Sequence, residues 1–208
     1  MTAFEFLFAL FSLLLGLAIA EILAGFSRVL KIHAQHRAGL GKDVRVGWLV
    51  PLMGLFVLLS QLTFWTIAYG VRENIPFNYV VVVVLTAVVG GYYLLSSLIW
   101  PDDPARWPDF DVYYDQHNRF ILIGNLVLTL VSAVASGLYA PAPKTPAHVT
   151  DTPVVIAAIV ALYGALLLNL VLIFVRGRRL NIALLGVLIA MQLLGPVLLL
   201  IAGFGPGK

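Results

Sequence analysis

Apolar runs long enough to cross a bilayer take up most of this chain and leave little room for any other architecture. Six segments qualify: Phe4–Leu30, Val46–Tyr69, Phe77–Trp100, Arg119–Ala140, Thr152–Val175 and Leu180–Phe204. A spanning helix needs about 20 mainly apolar residues. In lipid a lone strand leaves its backbone unpaired, so even the β-branched run Val80–Val84 is expected to be helical. The expected fold is therefore all-α: one polytopic membrane domain, residues 1–208, built as a bundle of six transmembrane helices. The loops are similar in length in the two halves, but no residues match between them, so no internal repeat is expected.

Composition agrees. The chain is 61% hydrophobic and 11% charged, with a mean hydropathy of +0.99. Soluble domains carry about 25% charged residues, and an apolar excess of this size has no place in a water-soluble core. With no cysteine there are no disulfides, thiolate metal sites or cysteine nucleophiles. Ala18-Ile19-Ala20 resembles a signal-peptidase site, but Glu5 and no Lys or Arg precede it and the apolar run continues to Leu30. The segment is expected to be a retained span.

The basic residues orient the spans. Arg28, Lys31, Arg37, Lys42 and Arg45 surround the first connection, Arg106 and Arg119 the third, and Arg176, Arg178 and Arg179 fill the fifth. Only Arg72, Lys144 and Lys208 lie on the other side. The positive-inside rule makes the richer side cytoplasmic and both termini extracytoplasmic. Topology thus explains the basic balance, and no nucleic-acid partner is expected. The Pro-rich connection Ala140–Thr152 reads as an extended outer linker, with Asp151-Thr152-Pro153 as a helix start.

Candidate functional residues are the polar ones at membrane depth. Glu21 is the first of them, since an ionisable side chain there is costly and usually meets a partner or a water-filled cavity. It shares a helix face with Arg28, two turns and about 10 Å along the axis, too far for direct pairing on a straight helix. Asn125, Asn169 and Gln192, with Gln61 and Ser96, fall at similar depths on other spans. Together they suggest a polar layer for a small ion or solute, centred on Glu21. The bland alternative is interhelical hydrogen bonding at about 0.6 kcal/mol per bond. Ser12, Gly16, Ala20 and Ala24 form a small-residue stripe suited to close helix packing in the bundle or between protomers.

The third connection is acidic. After Pro108 a helix is expected, with Asp109 as cap and Asp111 near its positive end. Asp115 is placed to pair with Arg119 at i+4, with Tyr113 and Tyr114 at the headgroups, as a contact loop of Asp111, Tyr114, Asp115 and Arg119. The five aspartates of this segment could hold Mg²⁺ for phosphate chemistry, but Pro101, Pro104 and Pro108 work against their convergence. No catalytic motif, metal-binding spacing or cofactor signature is present, so a Mg²⁺-dependent membrane enzyme built on these aspartates is the least expected of the functional readings.

Two stretches carry a resemblance. Phe4-Glu5-Phe6-Leu7 with Ser12, Leu15-Gly16-Leu17, Glu21, Leu23, Gly25 and Arg28, and Asp111-x-Tyr113-Tyr114 with Arg119-Phe120, resemble a family of small multi-pass inner-membrane proteins of bacteria that has no assigned function. The resemblance implies a bacterial inner membrane and no particular substrate. The expected functions are a small ion or solute channel or transporter, or a non-catalytic membrane partner, sensor or assembly subunit. Its expected partners are the lipid bilayer and a second copy or another membrane protein.

Overall fold

The computed structural model describes residues 3–39, 44–103, 106–139 and 153–203. It holds six helices: α1 (Ala3–Arg37), α2 (Leu49–Val71), α3 (Tyr79–Ile99), α4 (Phe110–Tyr139), α5 (Pro153–Phe174) and α6 (Arg178–Gly203). Among the described residues four helices are long and apolar enough to cross a membrane, namely Leu7–Arg37, α2, α3 and α4. The Val80–Val84 run is helical within α3. The outer linker Ala140–Thr152, the cap residues Asp151 and Thr152, and Lys42 and Lys208 lie outside the described residues.

Two helices are longer than their apolar runs. At 1.5 Å per residue α1 extends for about 52 Å and α4 for about 45 Å, against a hydrocarbon thickness of about 30 Å. The surplus of both lies at the same end, where α1 finishes in Lys31–Arg37 and α4 begins with Phe110–Arg119. We call this the basic end. There the connections are tied together: the Arg45 N–H donates to the Pro108 carbonyl (2.7 Å), and the Phe110 N–H to the Arg45 carbonyl (3.1 Å). Asp109 caps α4 as expected, its Oδ1 accepting from the Asp111 N–H at 2.8 Å. At the other end Asn78 caps α3 by accepting from the Val81 N–H at 2.9 Å.

α2 is the central helix and packs against α1, α3, α4 and α6, while α5 closes the far side against α4 and α6. Without a hydrophobic drive between helices in lipid, such contacts rest on close packing and hydrogen bonds. Leu7, Phe11, Leu15, Ala18, Ile22 and Val29 form the buried face of α1, which meets α3 and α2. The small-residue stripe does not do this: Gly16, Ala20 and Ala24 are exposed, and only Ser12 is engaged, accepting from the Trp65 Nε1–H at 3.2 Å. The larger aliphatic face offers more contact to α3, so the stripe turns outward. Trp100 is buried. Its indole lies over Gly25, where a β-carbon would collide with it, and against Phe26 edge to face.

Candidate functional site

Glu21 and Arg28 are paired, contrary to the expectation from their spacing. The Arg28 Nη2 donates to Glu21 Oε1 at 3.0 Å, with the two side chains 36% and 35% exposed. Helical side chains lean toward the N-terminus, so the long Arg28 chain climbs the two turns that separate the backbones. The pair sits at the rim between the buried and outer faces of α1. Among the described residues no hydrogen bond joins Glu21 to Asn125, Asn169 or Gln192, because α1 packs on α2 and α3 whereas those amides belong to α4, α5 and α6. Glu21 is therefore not the centre of the polar layer.

That layer forms without it. The Gln61 Nε2 donates to Ser96 Oγ (2.7 Å), and the Ser96 hydroxyl donates to its own helix at the Tyr92 carbonyl (2.8 Å). In the same way the Gln192 Nε2 donates to Ser60 Oγ (2.9 Å), whose hydroxyl donates to the Phe56 carbonyl (3.0 Å). In each relay the serine spends its single proton on the backbone, so the amide must offer its nitrogen. The amide oxygen is left over. Gln61 Oε1, Gln192 Oε1, Asn125 Oδ1 and Asn169 Oδ1 are all buried with no hydrogen-bond partner among the described residues. Gln61, Asn125 and Asn169 are 0%, 1% and 4% exposed.

Their heights follow from helix contacts. Gly91 meets Leu128 and Gly124 meets Leu95 across α3 and α4, which sets Ser96 and Asn125 within about one turn of each other. Gln61 is bonded to Ser96, and Gln192 to the neighbouring Ser60. Gln61, Asn125 and Gln192 thus occupy one layer of α2, α4 and α6. Asn169 sits only five residues before the end of α5 and lies closer to the basic end.

Asn125 also belongs to a line along α4. Asp111, Asn118, Asn125 and Ser132 recur every seven residues and all are buried, between 1% and 8% exposed. A spacing of seven keeps side chains on one face, so α4 turns a continuous polar seam inward. The sequence carries this period in plain view, yet only its parts are obvious when each residue is judged by its own depth.

At the basic end the seam meets a charged cluster. Arg178, the first residue of α6, approaches Asp115 Oδ2 (3.0 Å), Asp109 Oδ2 (3.6 Å) and Asp111 Oδ2 (4.0 Å). The expected Asp115–Arg119 pair does not form: Asp115 is turned toward α6, which supplies a guanidinium for two bonds at once (Nε 3.2 Å, Nη2 3.0 Å), while Arg119 is exposed. Asp111 is the buried member, pressed against Gly47, with its Oδ1 buried and without a hydrogen-bond partner among the described residues. Burial, then repulsion from Asp109, raises its pKa, against the pull of Arg178, the Leu49 N–H and Arg45. Tyr113 and Tyr114 are buried within the protein, where their hydroxyls have partners. Tyr113 donates to the Leu98 carbonyl (2.8 Å) and Tyr114 to Asn181 Oδ1 (3.3 Å).

The buried amide oxygens of this geometry can solvate a small cation or accept from water. The three converging aspartates already face a guanidinium, which brings the positive charge that a metal would otherwise supply. No family model matches the chain, and no curated protein or solved structure is significantly similar to it.

Proposed function

We propose that the chain is a six-span membrane protein that carries a small cation, with accompanying water, along the polar seam of α4 and the amide layer of α2 and α6. α5 and α6 would complete the six spans. By the distribution of Lys and Arg, the basic end is cytoplasmic and both termini are extracytoplasmic, in a bacterial inner membrane. One observation carries the reading: buried amide oxygens on adjacent helices at one height, each without a donor. Buried polar groups are paired in the great majority of cases. In lipid an unpaired one costs free energy that a hydrated path or a coordinated ion removes. Amide and hydroxyl oxygens without a formal charge suit a monovalent cation and its water; a divalent ion wants carboxylates.

The centre of this site is Gln61, Asn125 and Gln192, with Asn169 and Asp111 toward the basic end; the Glu21–Arg28 pair is outside it. The test is cation and proton flux in proteoliposomes. Wild-type flux should exceed that of protein-free liposomes, fall in Asn125→Leu and persist in Glu21→Gln. Wild-type liposomes no leakier than empty ones would sink the proposal.

A second reading, an assembly subunit, is favoured by the outward Gly16, Ala20 and Ala24 beside a partly exposed ion pair. Crosslinking in native membranes that recovers only isolated monomers counts against it.

A further inference from the structure

Between α2, α3 and α4, in the half of the bundle away from the basic end, lies a cavity of about 430 Å³. This is within the usual size range of small-molecule sites. Its walls include Phe64 and Ala68 of α2, Val81 and Leu85 of α3, and Ser132 and Ala135 of α4. The hydroxyl among these, on Ser132, already donates to the Leu128 carbonyl at 2.7 Å. Apart from Tyr139 at its outer end, the described lining therefore asks no hydrogen bond of an occupant.

The cavity is roofed on the aqueous side. Val71, Ile75 and Tyr139 line its end, and the Asn74 Nδ2 ties the α2–α3 connection to the Tyr139 carbonyl at 3.0 Å. Its sides face lipid instead. Val80 and Val84 of α3 are 68% and 40% exposed, and Val131 and Val134 of α4 are 37% and 62% exposed. Along α4 the lining runs from Leu130 to Tyr139, a rise of about 14 Å at 1.5 Å per residue. That is close to half of the hydrocarbon thickness of about 30 Å, the depth of one leaflet. At its inner end the Phe64 and Tyr92 rings, with centroids 5.5 Å apart, stand between the cavity and the amide layer.

We propose that this cavity is a lipid-chain site, holding one acyl chain of a phospholipid from the leaflet opposite the basic end. Closure toward water, lateral openness at membrane depth, a length of one leaflet and an apolar lining together select a chain from the bilayer over a solute from water. The cavity shares Ser132 with the outer end of the α4 seam, but its test reads lipid labelling and not flux, so the two proposals fail separately.

The experiment uses the full chain in liposomes containing phosphatidylcholine with a photoreactive diazirine in mid-chain, followed by peptide mapping. Labelling should concentrate on the α3 and α4 segments that line the cavity. It should be several-fold lower on the lipid-facing Leu13, Leu17 and Leu23 of α1. Ala135→Trp fills the cavity and should cut the labelling several-fold, whereas Val127→Trp, on α4 outside the lining, should leave it unchanged. Labelling spread evenly over all lipid-facing segments in the wild type overturns the proposal, and this needs no variant to fold. So does a disulfide-linked dimer of Val134→Cys in native membranes, which would mean that a second copy covers the cavity. The chain has no cysteine of its own to confuse that result.

Discussion

Gly47→Ala is the most exacting perturbation of the basic end. A β-carbon at Gly47 would fall on the Asp111 carboxylate. The substitution should cost nothing in backbone freedom, since Gly39 is the one described glycine with a positive φ. Its whole effect therefore comes through Asp111. Displacing that carboxylate also moves it from its place beside Arg178, 4.0 Å away. Overpacking of this kind costs about 1–3 kcal/mol, which is the expected loss. It can be read as the unfolding free energy in mixed detergent micelles. Asp111→Ala removes the obstacle, so Gly47→Ala should cost little in that background, with a coupling energy nearly as large as the single effect. A single variant within about 0.5 kcal/mol of wild type, or an equal loss in both backgrounds, would refute this account of the contact.

Arg178→Gln leaves three carboxylates facing one another and should lower thermal stability in detergent, with a smaller loss in high salt because the cluster is partly exposed. Gln61→Leu removes an amide whose oxygen has no partner, so with Ser96→Ala it should fold as well as wild type by circular dichroism while reducing cation flux. A matching loss of fold and flux would make the layer structural only. Gly25→Ala should expel the Trp100 indole and cost about 1–3 kcal/mol, seen as a red shift of tryptophan emission; an unmoved spectrum contradicts the contact.

The helical bundle was legible because apolar run length is a one-dimensional signal, and the helices follow those runs closely in α2, α3 and α5. It fails in α4, where Phe110–Asn118 is polar enough to read as an interfacial extension. The helix buries Tyr113 and Tyr114 there because Leu98 and Asn181 accept from their hydroxyls, partners separated by 15 and 67 residues. The amides Asn125, Asn169 and Gln192 could be picked out by depth alone. Their common centre could not, because rarity drew attention to Glu21 while which helix packs on which decides neighbours. The Gly47–Asp111 contact joins residues far apart in the chain, and no local pattern announces it.

The Arg178 cluster also has a direction in time. Asp109, Asp111 and Asp115 are synthesised with α4, but the guanidinium that they face arrives only with the last helix. Until then Asp111, buried against the start of α2, has Arg45 but not Arg178 to offset its charge, and the first and third connections of that end are held by the Arg45–Pro108 and Phe110–Arg45 backbone bonds. A chain stopped before α6 thus leaves three acids without the guanidinium that completes their cluster.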